Sequence, residues 1–240
     1  MLTFTHGNGI VALHEARSLD MVFSDTPWMA GDRKANGHKY KDSYSRSEYV
    51  ALYCHSIVQG AEKALNDGGT LAIWIDYRAA PYWGMAMDES GLTRCGEIIV
   101  ESELGNPGES QWPIRHSNIL LAHKGQNQKF NIEALPFIQR LAPKGEYTGD
   151  KRITSVIRHT MSSTDPERCG YPDQKPLYIC KMLVEAFTSP GGVVFDPCCG
   201  SGSIPIAAHI TGRIGIGFDL SLDAITVARN RPEARQMVLF

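Results

Sequence analysis

The turn Asp25-Thr26-Pro27-Trp28 combines residue types that suit chemistry on a flat ring bearing an amino group. A carboxylate and a backbone carbonyl can accept the two N–H bonds of such a group, which directs the nitrogen lone pair toward an electrophile. Asp25 and the Thr26 carbonyl are the candidate acceptors, Pro27 would fix the carbonyl's direction, and Trp28 would stack on the ring. Such stacking is worth about 1–3 kcal/mol per base. An ordinary turn, in which Asp25 caps and Trp28 packs, is the alternative interpretation.

A second candidate site is the turn Asp-Pro-Cys-Cys-Gly-Ser-Gly over residues 196–202. Glycines in a turn between a strand and a helix let a nucleoside-containing ligand approach the backbone. A dinucleotide site needs a third glycine, but position 205 holds proline, and Asp196 would repel a pyrophosphate. S-adenosylmethionine has no phosphate and carries cationic groups that Asp196 would favour. We therefore predict an S-adenosylmethionine site, in which Asp219 accepts hydrogen bonds from the ribose hydroxyls.

The elements that position these turns alternate between strand and helix in two blocks, one at each end of the sequence. The spacing of apolar residues predicts strands at 19–24, 70–75, 94–101, 117–122, 193–195 and 214–219. It predicts a helix at about 47–66 and a second that begins near 176 and ends before Pro190. A third helix follows the 196–202 turn and ends at 209, and the last follows the strand at 214–219 and ends at about 230. This alternation predicts an α/β fold with a doubly wound, Rossmann-like, mainly parallel sheet. The strands at 94–101 and 117–122 are expected to form an antiparallel pair.

The length of 240 residues fits one domain. The segment 125–158 has a weak, polar pattern and is predicted to be a small target-recognition insertion.

The net charge is −2, whereas a protein that clamps DNA usually shows a basic face. Basic residues nevertheless form two clusters, each of which is either a phosphate-contacting surface or a solvated loop. The clusters are Arg33, Lys34, Lys39, Lys41 and Arg46, and Lys144, Lys151, Arg152, Arg158 and His159.

The six cysteines form no C-x-x-C pair, so neither a zinc site nor a disulfide framework is predicted and no metal is expected. No apolar run approaches the roughly 20 residues that a transmembrane helix needs. The first residues lack the basic and apolar parts of a signal peptide. These features predict a cytoplasmic protein that does not contact membranes.

The two turns, in this order, resemble the β-class amino-methyltransferases that modify DNA at adenine N6 or cytosine N4. Those enzymes carry an (Asp/Asn/Ser)-Pro-Pro-aromatic motif early and an Asp-Pro-x-x-Gly-x-Gly motif late, an order circularly permuted relative to most methyltransferases. The resemblance covers nearly the whole chain except about residues 125–158. It extends to Gly7-Asn8, to 65–71, to Tyr171-Pro172-Asp173-Gln174-Lys175-Pro176 and to 211–219.

The resemblance implies a site-specific DNA methyltransferase of the restriction-modification type, with S-adenosylmethionine as cofactor. It implies catalytic roles for Asp25, Thr26, Pro27 and Trp28. Cofactor contacts are expected from Asn8, Asp25, Lys175, Asp196, Pro197, Cys198, Gly200, Ser201, Gly202 and Asp219.

Three residues depart from the family pattern: Thr26 replaces the first proline, Asn8 replaces an acidic residue, and Tyr171 replaces a histidine. Asp25 at the first catalytic position is typical of enzymes that act on adenine, whereas serine is typical of those that act on cytosine N4. Adenine N6 is therefore the expected target. Cytosine N4, RNA or a free nucleotide, and a catalytically silent DNA- or cofactor-binding protein are the alternatives.

The expected partner is duplex DNA with its target base extruded into a pocket. Direct transfer needs no covalent intermediate, so Cys198 and Cys199 are not expected to be nucleophiles. The loop with Lys34, Lys39 and Lys41 is expected to act as a phosphate-contacting flap. The resemblance also makes a homodimer an expectation.

Overall fold

The computed structural model describes residues 1–27, 33–35, 38–40, 44–102, 112, 114–141, 147–159, 161–162 and 164–235. Its largest feature is an eight-stranded sheet, and two short two-stranded ribbons lie outside it. The strands are β1 (Leu2–His6), β2 (Leu19–Asp25), β3 (Arg33–Ala35), β4 (His38–Tyr40), β5 (Leu65–Ile75), β6 (Leu92–Glu101), β7 (His116–Lys124), β8 (Phe137–Leu141), β9 (Tyr147–Arg152), β10 (Val156–Arg158), β11 (Val193–Asp196) and β12 (Ile214–Asp219).

The main sheet has the strand order β1-β12-β11-β2-β5-β7-β6-β10. Only β7 runs against the others, since it pairs antiparallel with both β5 and β6 while every other pair is parallel. The predicted fold class, including the antiparallel pair, is confirmed. The strand at the start of the chain, β1, pairs with the last strand, β12, so the two blocks of the sequence form one continuous sheet.

Helices cover both faces of this sheet, as its long buried strands require. They are α1 (Gly9–Glu15), α2 (Arg46–Tyr49), α3 (Ser56–Ala64), α4 (Ala80–Asp88), α5 (Leu177–Phe187), α6 (Ser203–Ile210) and α7 (Leu222–Asn230). Two buried clusters result, one containing side chains of α5 to α7 and the other those of α1 to α4. Successive residues of β2 alternate between them: Met21 and Phe23 belong to the first cluster, and Val22 belongs to the second. Among the described residues, no helix has the length and hydropathy to cross a membrane.

The helix expected at 47–66 differs from the prediction in two ways. It contains a π-helical segment, Val50–His55, between α2 and α3, and it ends at Ala64. Leu65 pairs with Leu19 of β2, and a bulge separates this pair from the next, so β5 begins five positions earlier than the apolar run at 70–75 indicated. A long-range backbone pairing therefore overrides the local periodicity here.

The segment 125–158 contains a 3₁₀ turn at Ile132–Ala134, the β8–β9 ribbon and β10. The last of these joins the main sheet beside β6, so the segment is only partly separate from it. In the second basic cluster, Arg152 donates to Glu133 and Arg158 donates to Glu101. The role of the segment 125–158 in target recognition stays a prediction.

The junction between the two ends of the chain predicts a steric effect at Gly9. A Cβ at this position would lie 2.2 Å from the Pro197 carbonyl oxygen and 2.7 Å from Phe218 Cβ, whereas one at Gly7 would meet only Phe218 Cδ1 at 4.0 Å. Gly9→Ala should lower the free energy of unfolding by about 1–3 kcal/mol. Gly7→Ala should change it by less than about 0.5 kcal/mol. Urea denaturation of both variants tests this, and equal midpoints would contradict it.

Candidate active site

One cavity of about 770 Å³ opens at the carboxyl ends of the parallel strands. Its walls come from the residues that follow β1, β2, β11 and β12, from the helix around Leu52 to Ser56, and from the segment Tyr171–Asp173. The carboxyl edge of an open α/β sheet is where such folds bind ligands. The two sequence-predicted turns therefore meet at one cavity, although about 170 residues separate them along the chain.

The glycine turn is held by Asp219 at the end of β12. The Gly200 backbone N–H donates to Asp219 Oδ2 at 2.9 Å, and the Ser221 N–H donates to Oδ1 at 2.8 Å. Gly200 and Gly202 have φ of +50° and +81°, a region that favours glycine. Burial raises the pKa of Asp219, against the two backbone hydrogen bonds. A carboxylate has about four acceptor positions, so Asp219 can still accept hydrogen bonds from a ligand in the cavity.

The structure places Asp196 beneath the cavity and not in its wall. Its side chain is 1% exposed, and its Oδ1 accepts from both Ser24 Oγ and the Cys198 N–H at 3.0 Å. Burial raises the pKa of Asp196 well above its ordinary value, and the negative charges of Asp25 and Asp219 raise it further, against these hydrogen bonds. Asp196 can act on a ligand only through its charge and through the turn that it holds.

Asp25, in the wall of this cavity, forms a partly buried ion pair with Lys175. Lys175 Nζ lies 2.5 Å from Asp25 Oδ2, and the two side chains are 8% and 24% exposed. The same ammonium group donates to the Asp173 carbonyl at 2.9 Å and lies 5.6 Å from the centre of the Trp74 ring. Asp25 lines the cavity, so Lys175 holds in place the carboxylate that the sequence identified as an acceptor.

The segment that carries Lys175 is itself tied down by polar contacts. The Gln174 side-chain amide donates to the Glu167 carbonyl at 2.8 Å, and Glu167 Oε1 accepts from the Leu177 N–H at 2.8 Å. The guanidinium of Arg231, which is 1% exposed, lies 3.6 Å from the same Glu167 oxygen. These contacts anchor the segment to the start of α5 and fix the position of the lysine.

The structure brings to the cavity wall most of the residues that the sequence singled out. Asn8, Asp25, Thr26, Pro27, Pro197, Cys198, Gly200 and Asp219 line it. Trp28 and Lys41 lie outside the described residues, as does Lys144. Lys175, Asp196, Ser201 and Gly202 are not among the lining residues.

The departure at position 8 has a local explanation. The Asn8 side-chain oxygen accepts from the Ile10 and Val11 backbone N–H groups at 3.0 and 3.2 Å and so caps α1. Asparagine is among the best residues at this position. Asparagine in place of the family's acidic residue therefore still caps α1 and keeps the start of this helix at the cavity wall.

Tyr44 and Tyr53 were not among the catalytic or cofactor-binding residues predicted from the sequence. Both line the cavity, their hydroxyl oxygens lie 2.7 Å apart, and their rings meet edge to face at 5.2 Å. Helical spacing places Tyr53 on the apolar face of the helix predicted at 47–66, so no feature of the sequence indicated that its hydroxyl lies at the site. Tyr171, whose effect was not predicted, also lines the cavity, and its ring lies 3.5 Å from where a Gly200 Cβ would be.

Cys198 lines the cavity but is poorly suited to nucleophilic chemistry. Burial raises the pKa of its thiol well above the ordinary value, and the charges of Asp196 and Asp219 raise it further. The thiolate is the nucleophilic form of cysteine. Among the described residues, no group of three or more His, Cys, Asp or Glu side chains could hold a metal ion.

Comparison with known proteins relates this chain to DNA methylases. The family model described as DNA methylase, with N6 and N4 in its name, matches residues 19–230. The Escherichia coli (strain K12) protein YubD is 44% identical over 214 residues, which cover 88% of this chain and 80% of YubD. The DNA adenine methyltransferase YhdJ of the same strain is 21% identical over 248 residues, covering 95% and 82%. The solved structure of the PvuII cytosine-N4-specific DNA methyltransferase has a TM-score of 0.76 at 15% identity, covering 98% and 88%, which shows a shared fold.

The buried Asp196 carboxylate predicts a pH-dependent change in stability. Because its pKa is raised in the folded protein, its ionisation costs stability as the pH rises above the ordinary carboxyl range. Asp196→Asn removes the charge and keeps the oxygen that Ser24 and Cys198 use, so it should raise the melting temperature at pH 8 and less so at pH 5. Asp88→Asn, at an exposed carboxylate on α4, should show no such gain. A wild-type protein more stable than Asp196→Asn at pH 8 would refute the argument.

Proposed function

The chain belongs to the DNA methylase family that modifies amino nitrogens N6 or N4, and we propose that its target is N6 of adenine in duplex DNA. The observation that carries this proposal is the position of Asp25 and Thr26 at the cavity wall beside the glycine turn. Asp25 at the first position of the motif, where cytosine-N4 enzymes typically have serine, supports adenine. The relative YhdJ, which is named as an adenine methyltransferase, supports it too.

The residues at the cavity fit the family's cofactor, S-adenosylmethionine. Asp25, Asp196 and Asp219 end three neighbouring strands, and the charges of Asp25 and Asp219 disfavour ionisation of Asp196. A cationic ligand is favoured there, because it offsets this accumulation of negative charge. Asp219 and the Gly200 backbone would hold the ribose end. When bound, S-adenosylmethionine supplies a methyl group activated by its sulfonium.

The chain's own residues then act by positioning. Asp25 and the Thr26 carbonyl accept the two N–H bonds of the target amino group, so its lone pair points into the cavity. Lys175 keeps the Asp25 side chain in one orientation. Catalysis by such a site rests on alignment and preorganised charge, where a displacement of about 1 Å can cost 10²-fold in rate.

The base reaches this cavity by leaving the DNA helix, at a cost of a few kcal/mol. Trp28 is the proposed stacking surface, and the loop with Lys34, Lys39 and Lys41 the proposed phosphate contact. The β8–β9 ribbon is the proposed reader of the target sequence, since a two-stranded ribbon fits the major groove. Arg140 and Lys151 are exposed on it. The homodimer and the cytoplasmic location stay predictions.

The reaction is tested with methyl-labelled S-adenosylmethionine and unmethylated duplex DNA, followed by digestion and mass spectrometry of the nucleosides. Wild-type protein should place label in 6-methyladenine, and Asp25→Ala should lower the rate by roughly 10²-fold or more because it removes an acceptor of the target amine. Label in 4-methylcytosine would keep the mechanism and overturn the choice of base. Cofactor binding without labelled DNA would point to RNA, a small molecule or a silent binding protein.

Cofactor binding is tested separately by calorimetry. Asp219→Ala should weaken S-adenosylmethionine binding by about tenfold or more, since a hydrogen bond to a charged group contributes about 1.5–3 kcal/mol. Asp88→Ala removes the same charge from the end of α4, where Asp88 forms an exposed ion pair with Arg94 of β6. This variant should bind S-adenosylmethionine with an affinity within about twofold of wild type. An Asp219 variant that stays folded and binds with wild-type affinity would remove Asp219 from the cofactor site.

A further inference from the structure

Thr26 begins a buried chain of hydrogen bonds that no part of the proposed mechanism uses. Its Oγ1 lies 3.3 Å from the Tyr49 hydroxyl oxygen, and the indole Nε1 of Trp83 donates to that same oxygen at 3.0 Å. Thr26 is 2% exposed, and Tyr49 and Trp83 are fully buried. The three side chains form a polar path through an otherwise apolar cluster.

The chemistry of the groups fixes the direction of one of these two hydrogen bonds. An indole N–H can only donate, so the Tyr49 oxygen is the acceptor from Trp83. In the bond between the Tyr49 and Thr26 hydroxyl groups, either oxygen can be the donor. Buried polar groups that lose such partners are costly, so this arrangement restricts the rotation of the Thr26 side chain.

The path connects the Asp25 turn to two helices on one face of the sheet. Tyr49 is the last residue of α2 before the π-helical segment, and Trp83 lies in α4, which follows β5. Irregular π turns within helices are frequent at functional sites. The Tyr49 ring packs 5.5 Å from that of Tyr53, a residue of the cavity wall. The Asp25 turn therefore contacts α2 and, through Tyr49, α4, and Tyr49 also packs against the π-helical segment that lines the cavity.

We propose that Tyr49 is a positioning residue for methyl transfer, which holds Thr26 so that its carbonyl points at the target amino group. The proposal rests on the proposed function. The family motif has proline at this position, and a proline ring restricts the backbone by itself. Threonine leaves the backbone freer, and here a side-chain hydrogen bond supplies the missing restraint. Trp83 supports the same role through the Tyr49 hydroxyl.

The test is a double-mutant cycle of Tyr49→Phe and Thr26→Val in steady-state methylation of DNA. Each single variant should lower kcat about tenfold and change KM for S-adenosylmethionine less than about twofold, because alignment is lost and the cofactor site is not. The double variant should be no slower than the slower single variant, since both remove the same hydrogen bond. Losses that multiply would overturn the proposal, as would an unchanged kcat.

Rescue and a matched control separate positioning from general damage to the core. Adding Thr26→Pro to Tyr49→Phe should restore most of kcat, because proline needs no hydroxyl partner. Tyr82→Phe deletes a hydroxyl one position before Trp83, on a residue that packs beside Arg46, and should keep the wild-type kcat. Failure of Thr26→Pro to restore activity in a variant with a normal melting temperature would count against the proposal.

Hydrogen–deuterium exchange provides a measurement that does not depend on activity. In Tyr49→Phe, the peptide that contains Asp25 and Thr26 should exchange faster, while the peptide over β11 should not change. Unchanged exchange at the turn would refute the restraint. A wild-type protein that methylates no DNA would refute the proposed function, and the exchange comparison would still decide whether Tyr49 restrains Thr26.

Discussion

The parallel pairing of β2 with β11 is the contact on which the site depends. Val194 pairs with Met21 and Phe195 with Val22, which brings the end of each strand to the same edge of the sheet. Ser24 and Asp196 then meet through a hydrogen bond of 3.0 Å across 172 residues of sequence. Parallel strands are joined by long crossover connections. The Asp25 turn and the glycine turn can therefore meet in space although they lie near opposite ends of the chain.

This pairing also brings three carboxylates, those of Asp25, Asp196 and Asp219, to the ends of neighbouring strands. Their partners differ. Asp25 has a lysine partner at 2.5 Å, Asp219 has two backbone N–H donors, and Asp196 has only neutral donors in a fully buried position. The unfavourable burial of Asp196 is a cost to the unliganded protein that a cationic ligand would offset. Active sites commonly trade stability for function in this way.

The Asp25 turn shows how a site can keep its geometry when a residue of the family motif changes. Proline restricts one backbone angle by covalent geometry, whereas Thr26 depends on Tyr49 and Trp83, which belong to two other elements. The backbone of this turn is thus restrained by contacts with other elements of the structure and not by the covalent geometry of a proline. The strength of this restraint depends on the packing of α2 and α4, which makes the turn sensitive to changes some distance from the cavity.

The fold class, the antiparallel strand pair and the family could be predicted from the amino-acid sequence, because apolar periodicity and turn residues act over a few positions. The sequence also identified Asp25, Thr26, Pro27 and Asp219, which the structure brings to the cavity wall. Contacts between distant segments decided the rest. They placed Asp196 beneath the cavity, paired Lys175 with Asp25, started β5 at Leu65 and brought Tyr44 and Tyr53 into the wall. Such contacts leave no local pattern, since each depends on how strands and helices pack after they form.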